Sequence, residues 1–323
     1  MRKMIAVLLL AWLLPFAAAQ PAAPAEAKRR VGILNYAGAQ DVRAAQFRAA
    51  LHELGYVEDK NLTIVHRHAD GALDRLPAMA ADLVASDVEV IIALGPAVWA
   101  AKQATTKVPI IIAFSGNPER QGVVSSLARP GGNLTGFSYM SSDLAAKRLA
   151  LLCEALKRCD RIAVLYNPQE PATKSELEET EAGARKLGVT LLPVTAQNAV
   201  ELERAFAEAR RAEAQGLLVF THGFAVIHGA RIMELAARHR LPTLHGWRDF
   251  VDEGGLMSYG PDIQSLVRQA ASYVDRILKG AKPNELPVQE PSRLQLVVNL
   301  RAAKALGLEL PSALLVRADE VIE

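Results

Sequence analysis

The sequence predicts an α/β protein made of two lobes of parallel sheet, joined by three passages of the chain. Two observations predict it. Strand-like and helix-like segments alternate over residues 30–138 and again over 142–253, which is the pattern of parallel strands with right-handed helical crossovers. Downstream, Gly254-Gly255-Leu256-Met257-Ser258-Tyr259-Gly260-Pro261 reads as a short buried strand that leaves one lobe, crosses a hinge and starts a helix in the other. A chain of 323 residues is long for one core and comfortable for two.

In the first half, residues 30–36 form an expected buried strand, followed by a helix over 41–54 with Phe47, Ala50, Leu51 and Leu54 on one face and Gly55 as its stop. Residues 62–65 give a second strand and 73–85 a second helix. The run Val88-Glu89-Val90-Ile91-Ile92-Ala93-Leu94 is nearly all apolar, as a central parallel strand covered on both faces should be. Pro96 opens a third helix, where its missing N–H costs nothing. Residues 109–114 and 133–138 are the fourth and fifth strands.

The pattern then restarts. Helices are expected over 142–156, 170–187, 199–214 and up to His239, with a short one reaching Glu253. Strands are expected over 161–166, 189–195, 216–220 and 241–244. A helix over 263–278 returns to the first lobe, residues 286–298 are extended and cross back, and Asn299 caps a helix that Gly307 ends. The passages between lobes therefore fall near Tyr139, Ser258 and Pro291. The first lobe comprises 30–139 with 259–290, and the second 140–258 with 291–323. Three passages make a hinge that allows closure with restricted twist.

Composition narrows the function. Half of the residues are hydrophobic, 22% are charged and 5% are aromatic, as in an ordinary globular protein. Arg2 and Lys3, an apolar run over 5–14, Pro15 and Ala17-Ala18-Ala19 make residues 1–19 a signal peptide cleaved near Ala19, with 20–29 a flexible leader. The apolar run is short for a membrane span. Removing residues 1–19 leaves 35 basic and 35 acidic residues, which argues against a nucleic-acid binder. Two readings stand for the cysteines, Cys153 and Cys159. Six residues of straight helix rise about 9 Å, whereas a disulfide needs Cα atoms within about 7 Å. A bridge therefore requires the helix to end near Lys157; otherwise these are two thiols.

In open α/β sheets, ligands sit beyond the carboxyl ends of the strands. The loops expected there carry small polar residues and glycines, and the helix N-termini after them offer N–H groups to an anion. The candidate lining is Asn35, Tyr36, Gly95, Trp99, Ser115, Asn117, Tyr139, Asn167, Thr221 and His222. The amides and hydroxyls would hydrogen-bond and the rings would stack. Trp99 fits equally a helix core or a place over the cleft, and His222 either contacts a ligand or caps a helix. Residues 116–122 match neither the dinucleotide nor the Walker phosphate pattern. His66 and His68 share a strand face without a third ligand nearby, so no metal site is expected. His222 as a general base has neither a Gly-x-Ser-x-Gly elbow nor a paired acid to support it, so no enzyme is expected.

Five stretches carry a family resemblance: Leu51-His52-Glu53-Leu54-Gly55-Tyr56; Ala128-Arg129-Pro130-Gly131-Gly132-Asn133 with Leu134-Thr135-Gly136; residues 250–261; Ile277-Leu278-Lys279-Gly280 with Lys282-Pro283; and the tail 299–323. From about residue 30 to the end, the chain resembles the ABC-transporter substrate-binding proteins that take up tryptophan and tyrosine. The resemblance implies a type I periplasmic binding architecture, with two Rossmann-like lobes and a three-strand hinge. It departs from the family pattern at Asn117-Pro118, where an Asp-Pro is usual, and at Gly95-Pro96-Ala97. The function implied is a periplasmic receptor that captures a small polar molecule, amino-acid-like or an aromatic or organic acid. It would work as a monomer without cofactor and deliver the solute to an inner-membrane ABC permease with a separate ATPase. A ligand-sensing subunit for a membrane receptor and an exported enzyme using His222 are the alternatives.

Overall fold

The computed structural model describes residues 28–39 and 41–323. The expected signal peptide and most of the leader lie outside the described residues.

Five strands form the first sheet: β1 (Arg29–Asn35), β2 (Leu62–His68), β3 (Val90–Leu94), β4 (Ile110–Ser115) and β5 (Leu134–Ser138), in the order β2-β1-β3-β4-β5. All neighbours are parallel. β3 is the all-aliphatic Val90-Ile91-Ile92-Ala93-Leu94 and is buried throughout, because helices cover both faces. These are α1 (Val42–Glu53), α2 (Leu76–Ala85) and α3 (Ala97–Ala104). β2 runs three residues further than expected, to His68. This places the rings of His66 and His68 edge to face, 5.5 Å apart. Among the described residues no group of three His, Cys, Asp or Glu could hold a metal ion.

The second sheet holds β6 (Arg161–Tyr166), β7 (Thr190–Thr195), β8 (Gly216–Val219), β9 (Thr243–His245), β10 (Met257–Pro261), β11 (Leu294–Asn299) and β12 (Glu320–Ile322), in the order β12-β11-β10-β9-β8-β6-β7. Its helices are α4 (Ala145–Ala155), α5 (Ala172–Leu187), α6 (Ala199–Arg211), α7 (Gly223–Ile227), α8 (Gly229–His239) and α9 (Asp249–Asp252). Beyond them lie α10 (Ile263–Leu278), α11 (Leu300–Leu306) and α12 (Ser312–Val316). One pair departs from the expected parallel arrangement: β10 and β11 are antiparallel, with Pro261 opposite Leu294 and Met257 opposite Val298. The cause is the excursion between them. The chain leaves β10 and forms α10, capped by Asp262 through the amides of Gln264 and Ser265, which packs on α1 and on strands of the first sheet. It then re-enters the second sheet at the end where it left.

β10 keeps its pairing to Pro261, three residues past the passage expected near Ser258. The first and third passages run side by side, since Ser138 N donates to Gln289 O at 2.9 Å and Gln289 N to Gly136 O at 2.8 Å. Gly136 has φ +138°, and a Cβ there would lie 2.1 Å from the Ile112 carbonyl oxygen. A side chain would therefore drive β5 away from β4. Asn299 caps α11 through Ala302 N, and Gly307 ends that helix at φ +70°. α4 stops at Ala155, early enough to bring the Cα atoms of Cys153 and Cys159 within 5.1 Å, and the two form a disulfide.

Candidate ligand-binding cleft

Loops at the carboxyl ends of β1, β3, β4, β6, β8 and β9 meet around a cleft lined from both sheets. Of the ten residues expected from the sequence, Asn35, Tyr36, Gly95, Trp99, Ser115, Tyr139 and His222 line it. The other three face elsewhere. Asn117 Nδ2 donates to Asp143 Oδ2 at 2.9 Å, and its Oδ1 accepts from Arg120 N. Asn167 Oδ1 accepts from Gln169 N and so shapes its own turn. Thr221 is buried beside Gly246, and its carbonyl accepts from the Tyr139 hydroxyl at 2.7 Å.

The first-lobe wall is a closed polar circuit. Asp41 caps α1 by accepting from Arg43 N at 3.1 Å, and the same oxygen accepts from Arg43 Nε at 2.8 Å. Its other oxygen accepts from Asn35 Nδ2 at 2.9 Å, while Asn35 Oδ1 accepts from Ala37 N. Asp41 and Arg43 looked in sequence only like a helix start; their place just after β1 was the available signal. Ser115 Oγ donates to Gln121 Oε1 at 3.0 Å, and Gln121 Nε2 is buried without a hydrogen-bond partner.

The second-lobe wall centres on Glu170, which the sequence places as the first residue of a charged amphipathic helix. The helix instead begins at Ala172, and Glu170 is buried at the end of the loop after β6. Its Oε2 accepts from Gly223 N and its Oε1 from Phe224 N, both at 2.8 Å. Oε1 also lies 3.1 Å from His222 Nδ1. Burial works against the charged carboxylate, but His222 and the two amides outweigh it and hold the carboxyl below its ordinary range.

Several contacts cross from lobe to lobe. The Tyr36 ring packs so closely on Gly223 that a Cβ there would meet ring carbons at 2.3 and 2.6 Å. Burial first, and then the charge on Glu170, push the Tyr36 hydroxyl's pKa up. The Arg43 guanidinium stacks 5.2 Å from the Trp247 ring, and Tyr139 meets Trp247 edge to face at 5.6 Å. Trp99, half-buried, closes the remaining side with Pro96, Pro171 and Val226. The lining is thus mainly apolar and aromatic, with a few fixed polar groups, as a small-molecule site requires.

A further buried pair lies outside the cavity lining. Arg148 Nη1 is 3.1 Å from Glu176 Oε1, and both side chains are almost fully enclosed. Arg148 also donates to Tyr259 O at 2.8 Å and to Ser141 O at 3.0 Å. It therefore grips two of the three passages between the lobes.

A profile of the family described as "ABC transporter substrate binding protein" matches residues 37–322. The chain belongs to this family. A relative named tyrosine-binding protein, from Clostridioides difficile (strain R20291), is 26% identical over 269 residues, covering 83% of this chain and 77% of its own. A solved structure from Vibrio cholerae is 26% identical with a TM-score of 0.85, covering 91% of this chain and 99% of the other. One from Streptococcus pneumoniae, described as an ABC domain in complex with L-Trp, is 25% identical with a TM-score of 0.82, covering 90% and 100%. This substrate-binding protein thus has the type I periplasmic binding architecture that its sequence predicts.

Proposed function

We propose that this substrate-binding protein is exported and serves an ABC importer as a monomeric receptor that closes its two lobes on an amino acid with an aromatic side chain. The observation that carries the reading is the cavity shared by both lobes. Tyr36 and Trp99 from one side and Trp247 from the other offer flat apolar faces, and Gln121, Glu170 and His222 offer polar atoms. An aromatic amino acid has matching parts, a ring and a compact polar end. The relative named for tyrosine and the structure with bound L-Trp agree with this class. The signal-like residues 1–19 and the Cys153–Cys159 disulfide agree with an oxidising compartment outside the cytoplasm. An inner-membrane permease and its ATPase would be the partners.

Thermal denaturation across the amino acids and their aromatic acid relatives tests this. A ligand at a hundred times its Kd stabilises the folded state by about 2.7 kcal/mol, so an aromatic amino acid should raise Tm by several degrees. No shift with any aromatic amino acid would sink the ligand class. Fractionation of the native cell should find a chain shortened by cleavage near Ala19 outside the inner membrane; full-length protein in the cytoplasm would contradict export.

A further inference from the structure

We propose that His222 selects the amine of the ligand, and that Glu170 acts through it as a positioning residue; this deepens the receptor reading and rests on it. Glu170 receives backbone N–H groups on both oxygens, from Gly223 and Phe224 at 2.8 Å. Two such donors keep the carboxylate ionised. An ionised oxygen 3.1 Å from His222 Nδ1 requires the hydrogen to sit on Nδ1, since otherwise two lone pairs would face each other. The Ala225 amide also points at Nδ1, but from 3.4 Å, so it is the weaker competitor.

With the hydrogen on Nδ1 and no second proton on the ring, Nε2 carries a lone pair. That atom is buried, has no protein partner and belongs to a side chain on the cavity wall. A donor brought in from the cavity would satisfy it. The Glu170 carboxylate behind the ring favours a cationic donor. The other carboxylate of the lining, Asp41, is already held by Asn35 and Arg43. An ammonium group fits Nε2, whereas a ligand carboxylate would set its lone pairs against it. His222 thereby separates amine-bearing ligands from their deaminated counterparts.

Two measurements test this. Long-range ¹H–¹⁵N spectra of histidine-labelled, ligand-free protein report the tautomer directly, with His222 assigned by its missing signals in His222→Gln. The hydrogen is expected on Nδ1; a hydrogen on Nε2 overturns the proposal whatever the ligand proves to be. Calorimetry with L-tryptophan and with indole-3-propionate, which lacks only the amine, then measures the preference. Glu170→Met removes the acceptor, so the Ala225 amide captures Nδ1 and the hydrogen moves to Nε2. The preference for L-tryptophan should fall at least roughly tenfold, beyond any loss the two ligands share. An unchanged ratio in a folded Glu170→Met protein overturns the proposal. If the wild type binds no aromatic amino acid, the receptor reading fails on its ligand, and the tautomer still decides the role of Glu170.

Discussion

Glu170 and Glu176 are buried to nearly the same degree in the same lobe, 3% and 2% exposed, and each has a basic side chain at 3.1 Å. Their carboxyls nevertheless shift in opposite directions. Glu170 is held below the ordinary range, whereas burial, only partly offset by Arg148, pushes Glu176 up to about 8. The difference lies in the donors. Two backbone amides at the start of α7 aim at Glu170, while Glu176 Oε2 makes no hydrogen bond of ordinary geometry. Burial sets the cost of a charge, and local N–H groups decide whether that cost is met. The lobe thus keeps a fixed charge at the cavity wall and a titratable pair outside the lining, where Arg148 ties the passages at Ser141 and Tyr259.

The largest effect should come from breaking the lower pair. Arg148→Met strands Glu176 and leaves two passage carbonyls without their donor, so stability should fall by roughly 3–5 kcal/mol. The double variant Arg148→Met/Glu176→Leu should recover in urea denaturation the part of that loss due to the stranded carboxyl, while the part due to the two carbonyls remains. Equal loss in the single and double variants would mean that the pair is not a unit.

A smaller effect should follow from crowding the upper site. Gly223→Ala sets a methyl against the Tyr36 ring. Ligand affinity should drop about tenfold, or 1.4 kcal/mol, with stability changed by less than that. Affinity equal to wild type would show that Tyr36 need not sit against α7 when the lobes close.

The smallest effect is a slope. An ordinary glutamate titrates near 4.5, and Glu176 near 8. Between these values the folded state keeps a proton that the unfolded chain has lost, so stability falls as pH rises through that window. The lowered Glu170 acts in the other sense, contributing above the ordinary carboxyl range and losing that contribution as pH falls below it. Half-buried His66 and His228 and buried His245 are held below their ordinary 6.5, so their contribution is complete above it. From about pH 7 to 8.5, the wild-type urea midpoint should therefore decline, and Glu176→Gln should flatten the decline. Identical slopes would remove Glu176 from the explanation.

Much of the frame was legible because it rests on local signals. The aliphatic run at β3, the Asn299 cap with Gly307 beyond it, and the glycines at 254–260 each carry their meaning in a few neighbouring residues. The antiparallel β10–β11 pair was not legible, since it follows from where α10 docks rather than from either strand's residues. In the cleft, position after a strand end located Tyr36, Trp99 and His222, but gave no orientation. Asn117 and Asn167 have the same composition signal and spend their amides on turns. Glu170 and Arg43 were hidden for the opposite reason: charged residues at helix starts usually face water, and only tertiary partners such as Gly223 and Trp247 turn them inward.

Native mass spectrometry of the protein, purified gently from its own cell envelope, tests the receptor reading most directly. The expected result is a single added mass equal to an aromatic amino acid, present under native conditions and gone on unfolding. A protein that carries no such mass and acquires none on incubation with tyrosine, tryptophan or phenylalanine would contradict it.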